Sequence, residues 1–198
     1  VERGKAAVID RIEETLRGLL SDPSPAVREA ASSSLDRLRA KRSVDSYMKT
    51  LQTGTLEERV RVVFSAEDIG GSEGISLMLA ALNDGEEEVR GAAARALAGS
   101  PTVAVLRALI ERLPKEKGVV LGNLLETLGA SRRKELAPVL AKYMGHPDPE
   151  VAGKAVAAFA RVADKEGWEK ILLQTQAESD AVRAAAARAL SEWSAGEY

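Results

Sequence analysis

Cysteine is absent from all 198 residues, which removes disulfides, thiolate nucleophiles and cysteine-based zinc sites together and fits a reducing compartment. Histidine occurs once, as His146, so a zinc site would also lack nitrogen ligands. No apolar run approaches the roughly 20 residues a membrane-spanning helix needs, and nothing at the start has the layout of a signal peptide. Neither charge sign dominates: 28 Lys and Arg stand against 30 Asp and Glu, a net of −2, which argues against a dedicated nucleic-acid or anionic-membrane surface. The chain starts at Val1 without an initiator Met, as a processed or excised piece would, and a removed targeting segment stays open. The expectation is a cytoplasmic protein.

What the sequence does contain is repetition. Stepping by 31 residues from Val27 gives Glu58, Val89, Val120, Val151 and Val182. Four residues on, the column reads Ala31, Val62, Ala93, Leu124, Ala155, Ala186, and eight on it reads Leu35, Ala66, Leu97, Leu128, Phe159, Leu190. With the small column that starts at Ser34, the offsets are 0, 4, 7 and 8, one face of an α-helix. Upstream lies a second helical stripe, Leu16, Tyr47, Met78, Leu109, Leu140, Ile171, with its partner column Leu20, Leu51, Leu82, Leu113, Met144, Thr175. Each module is therefore two helices, and a fixed period of this length marks an array of stacked modules.

Between the two helices lies a short breaker-rich turn, as in Ser21-Asp22-Pro23-Ser24-Pro25 or His146-Pro147-Asp148-Pro149. Ser24, Thr55, Asp148 and Ser179 suit the N-cap, where a side-chain oxygen accepts from the first free amides. Pro25 and Pro149 then fit the first helical position, and Thr55 with Glu58 has capping-box spacing. Modules fall at 8–38, 39–69, 70–100, 101–131, 132–162 and 163–193. The serines 32–34 in the first module have the polar style of an end cap. Glu58 and Arg61 break the second module's pattern, so its helix is either rotated to bring Val60, Val63 and Phe64 inward or leaves them exposed, and rotation is the expectation. In the last module, either Trp193 and Tyr198 cover the final helix, or the chain continues, or two copies meet there.

The runs Leu136-Ala137-Pro138-Val139-Leu140 and Val-Arg-x-x-Ala-Ala-x-Ala-Leu, at 89–97 and 182–190, resemble HEAT-like repeats of the phycobilisome-lyase type over nearly the whole chain. The resemblance implies an all-α, right-handed α-solenoid of the HEAT/armadillo-like kind, about six two-helix repeats forming a single domain over 1–198. It also implies ladders built from a turn Asp and an Arg six residues later, a spacing met by Asp22 with Arg28 and Asp84 with Arg90 and not by the last three modules. Members of this family serve as partner-binding scaffolds, bilin-lyase subunits and, in one branch, DNA-repair glycosylases, so fold follows from the likeness and function does not.

Chemistry-bearing constellations are sparse. His146 occupies the turn column of Asp22 and Asp84, which assigns it to turn hydrogen bonding. Gly70-Gly71-Ser72-Glu73-Gly74 lacks the strand and the Lys-Ser/Thr of a phosphate loop and reads as a loop between modules. Glu86, Glu87 and Glu88 sit where acidic groups favour the positive end of a helix. No catalytic residue, cofactor site or metal site is assigned.

With Val27, Ala31, Ser34 and Leu38 inward, the columns that start at Glu29, Ser32, Ser33 and Asp36 lie opposite. The Glu29 column contains Gly91, Gly122 and Gly153, each costing roughly 1 kcal/mol relative to Ala within a helix, so something comes close: either a tightly stacked neighbouring helix, the preferred reading, or a ligand. In the binding reading the second helices line a concave trough with Val63, Phe64, Leu125 and Val156 as anchors and Arg95, Glu126 and Arg188 as its polar rim. The function expected is a non-enzymatic interaction scaffold that holds a peptide or helix of a protein partner. A bilin-lyase-like subunit handling a tetrapyrrole is the alternative. Nucleic-acid binding ranks last, because the column Ser33, Phe64, Arg95, Glu126, Ala157, Arg188 is mixed in sign.

Overall fold

The computed structural model describes residues 2–196, with the side chains of 7–39 and 41–192. Among them are eleven α-helices, three short 3-10 turns and no strand. The chain divides into two compact units, Val1–Thr53 and Gly54–Tyr198. The side chains of Trp193 and Tyr198 lie outside the described residues.

The first unit is an antiparallel pair, α1 (Glu2–Leu19) and α2 (Pro25–Thr53). Pro25 opens α2 as the turn signal predicts. The helix then runs through the module boundary expected at 38/39, because residues 26–53 contain neither glycine nor proline to stop it. In the turn before α2, the Ser24 amide donates to Asp22 Oδ1 (2.8 Å), and Arg28 Nη1 donates to the carbonyls of Asp22 (2.7 Å) and Pro23 (2.9 Å). Arg28 thus closes its own turn through the backbone and leaves the Asp22 carboxylate to cap it. Across the pair, Arg42 reaches Asp10 (3.2 Å) and Glu13 (2.6 Å) on the exposed surface.

In the second unit the helices are α3 (Leu56–Ile69), α4 (Gly71–Ala81), α5 (Glu87–Ala96), α6 (Val103–Arg112), α7 (Gly118–Ala130), α8 (Ala137–Ala141), α9 (Pro149–Ala160), α10 (Lys165–Gln174) and α11 (Asp180–Gly196). The odd-numbered members are the second helices of the modules and stack in the order α3, α5, α7, α9, α11. Val89, Leu97 and Leu128, the columns that define the period, are fully buried. Helix starts follow the expected caps: Thr55 and Glu58 form a reciprocal capping box, and Asp148 accepts from the Glu150 and Val151 amides. That box is why Glu58 interrupts the Val column, since it serves the helix start and stays exposed.

The glycine-rich stretch is not a loop. Gly70 and Gly71 turn the chain with φ of +61° and +55°, which side-chain-bearing residues resist, and α4 begins at once. Gly74 lies inside α4 against the Ala66 carbonyl oxygen, which a Cβ would meet at 2.2 Å, so glycine there permits the α3–α4 contact.

Candidate interaction face

Two neighbouring rows on the second helices have opposite fates. Val63, Leu125 and Val156, read from sequence as trough anchors, are 1 %, 0 % and 0 % exposed and belong to the core between stacked helices. Each inner second helix has the first-helix layer behind it and a second helix on either side, so its apolar arc is wider than one stripe. Buried polar bonds tie the stack: Asn123 Nδ2 donates to the Gly91 carbonyl (3.3 Å), and Thr127 Oγ1 donates to that of Ala94 (2.7 Å). These bonds span 32 and 33 residues, close to one module, so the helices run parallel and in register.

The same stacking accounts for the glycine row. A Cβ on Gly91 would meet Asn123 Nδ2 at 3.4 Å, one on Gly122 would meet Lys154 Cδ at 2.5 Å, and one on Gly153 would meet the Ala181 carbonyl oxygen at 3.2 Å. What comes close to each glycine is the next second helix.

One residue further on, the row opens. Phe64 is 55 % exposed, Arg95 and Arg188 are exposed, and Glu126 is half-buried. The expected rotation of α3 does not occur: Val62, Val63 and Ala66 are buried, Val60 is half-buried and Phe64 faces outward. Between α7, α9 and α11 the row borders a cleft of about 460 Å³ whose walls include Glu126, Lys154 and Arg188 and whose floor includes Gly153, Ala157 and Ala181. Lys154 Nζ donates to Glu126 Oε2 at 3.0 Å across it. Lys154 went unassigned in the sequence reading because its column also holds Ala92 and Asn123; Arg61, in the same column, was the available signal.

The turn edge carries a different kind of order. Arg59 pairs with Asp84 (3.1 Å), and Arg90 donates to both Glu116 oxygens (2.8 and 3.1 Å), which Arg112 joins (2.5 Å). The ladder therefore links the arginine of one module to an acid in the turn of the next, while Arg90 Nη1 closes its own turn on the carbonyls of Asp84 and Gly85. It stops where the arginine column becomes Leu121 and Ala152. Burial pushes the Glu116 carboxyl up, but the bonds from Arg90 and Arg112 outweigh it, and its pKa lies below the ordinary glutamate value. His146 accepts the Asp148 amide on Nδ1 (3.1 Å), doing for its turn what Asp22 and Asp84 do for theirs. Its ring stacks on Tyr143, with centroids 6.4 Å apart. Among the described residues no three His, Cys, Asp or Glu side chains gather where they would hold a metal ion, and no helix is long and apolar enough to cross a membrane.

Comparison with known proteins matches residues 108–191 to a model described as HEAT repeats and residues 13–38 to a model described as HEAT repeat. Both describe HEAT repeats in general and neither is specific to phycobilisome lyases. No curated protein matches the sequence. Among solved structures, human deoxyhypusine hydroxylase in complex with glycerol is similar, with a TM-score of 0.59 and 21 % identity. The match covers 79 % of this chain and 65 % of that one, just under two thirds of its length, and at this identity the likeness is one of fold, a helical solenoid.

Proposed function

Because this chain belongs to the HEAT-repeat family, whose arrays generally act as protein-interaction scaffolds, we propose that its second-helix face in residues 54–198 holds a peptide or helix from another protein without catalysing a reaction. The observation that carries the reading is the open row of Phe64, Arg95, Glu126 and Arg188 above a sealed one. A rigid array loses little entropy on binding, and exposed aromatic and arginine side chains are the types that dominate interface energies. We place the interaction in the cytoplasm, which a chain without cysteine suits.

The test is cross-linked partner capture with Phe64→Ala/Arg188→Glu beside wild type, with circular dichroism to show that both are folded. Loss of two hot spots costs about 2 kcal/mol or more, so capture should fall at least about thirtyfold. Equal recovery from the folded variant would remove this face from the proposal.

A further inference from the structure

The register of the stack gives each second helix one face toward the module before it and one toward the module after. The forward face is marked by Gly91, Gly122 and Gly153, which meet the next helix, and by Ala94, whose carbonyl accepts from Thr127. Asn123 and Thr127 mark the backward face, since both bond to the helix before theirs. First helices look backward too: Gly74 abuts the Ala66 carbonyl and Gly167 abuts Phe159, each on the preceding second helix. Inside the stack these columns are sealed, with Leu125 and Val156 buried on the forward side and Val105 and Leu136 on the backward side.

In the first and last modules the same columns lie open. The forward positions of α11 are Ala184 and Ala187, both exposed, and Leu190, half-buried where Leu97, Leu128 and Phe159 are buried. Leu172 of α10 is exposed, although Ile110, at the same place in its module, shares an apolar cleft with Leu136 of the next. In Val1–Thr53 it is the backward positions that are open. Ile12 of α1, at the place of Val105 and Leu136, is exposed, as is Ala30 of α2, at the place of Asn123. Ser34 of α2 is half-buried, although Thr127, Ala158 and Ala189 at its place are buried.

We propose that these faces belong together: the forward face of α10 and α11 in one molecule receives the backward face of α1 and α2 in a second copy of the chain. The contact continues the internal register. Ala184 and Ala187 lie against Ala30 and Ser34, the Ser34 hydroxyl donates to the Ala187 carbonyl as Thr127 does to that of Ala94, and Leu172 and Leu190 close over Ile12. A second copy is the occupant because one chain carries both halves of an interface it already uses internally, with small residues where helix separation must be short. Unlike faces meet, so the contact is heterologous, and it goes beyond the partner-binding function proposed above.

Sedimentation velocity over a range of concentrations tests this through two variants at exposed helix positions, with circular dichroism to show that both are folded. Ala30→Arg blocks the backward face and Ala187→Arg the forward one; arginine is a good helix former, so each helix is kept. Wild type should associate as concentration rises. Each variant alone should associate at least about tenfold more weakly, the loss expected of an overpacked contact. An equimolar mixture should recover a one-to-one complex of wild-type affinity, through the intact face left on each molecule. A wild type that stays monomeric, or a mixture no more associated than its components, would overturn the proposal. So would Ala30→Arg assembling like wild type, the sign of α11 pairing with itself, or Ala187→Arg doing so, the sign of α1 and α2 pairing with their own copy.

Discussion

The two units carry the same 31-residue pattern and bury very different shares of it. In Val1–Thr53, Ala31 and Leu35 are the buried apolar side chains among the described residues, while Val8 and Ile12 are 59 % and 46 % exposed. In Gly54–Tyr198 the corresponding columns close, with Val89, Leu97, Leu109 and Leu128 all without exposed surface. Their polar links differ too. Arg42 in the first unit is half exposed and bonds to carboxylates at the surface, whereas the Glu116 carboxylate that Arg90 and Arg112 share is 3 % exposed. Periodicity decides which face of a helix is apolar; burial needs a neighbour in register on each side.

The largest expected contrast is between Leu128→Ala and Ile12→Ala. The first removes a fully buried side chain and should cost about 2–5 kcal/mol; the second, at an exposed site, should stay within about 0.5 kcal/mol. Urea denaturation measures both, and comparable losses would erase the distinction between the units.

A smaller effect separates Glu116→Gln from Arg42→Ala. Removing the buried charge weakens bonds from two guanidinium groups and should cost about 1–3 kcal/mol, whereas Arg42→Ala should leave the midpoint nearly unmoved. The pH dependence sharpens this. Because the folded-state pKa of Glu116 is lowered, the unfolded chain takes up its proton first as pH falls. The stability contributed by Glu116 is present above the ordinary glutamate pKa of about 4.3 and is lost as pH drops through the lower folded value. Glu116→Gln should flatten that acid limb, and an unchanged limb would deny Glu116 the role.

Much of the fold was legible because it depends on local spacing. The Val89 and Leu97 columns, the Thr55 capping box, the Asp148 cap and the turn role of His146 each follow from residues a few positions apart. The continuity of α2 was hidden by measuring in modules, although the absence of any breaker from 26 to 53 was its physical signal. The binding row was harder. Leu125 and Glu126 are adjacent, about 100° apart on a helix, and which of them is sealed depends on how five helices stack rather than on either residue's own segment. Gly153 and Ala181 likewise meet only across α9 and α11.

That one-residue boundary is directly measurable, because a chain without cysteine accepts single thiols as reporters. Arg95→Cys and Arg188→Cys should react with a soluble maleimide at the rate of a free thiol. Ala94→Cys and Val156→Cys should react at least about a hundredfold more slowly, since a sealed position becomes accessible only when the structure opens. Equal rates at positions 94 and 95, or faster reaction at 94, would contradict an in-register stack with its open face at Phe64, Arg95 and Arg188.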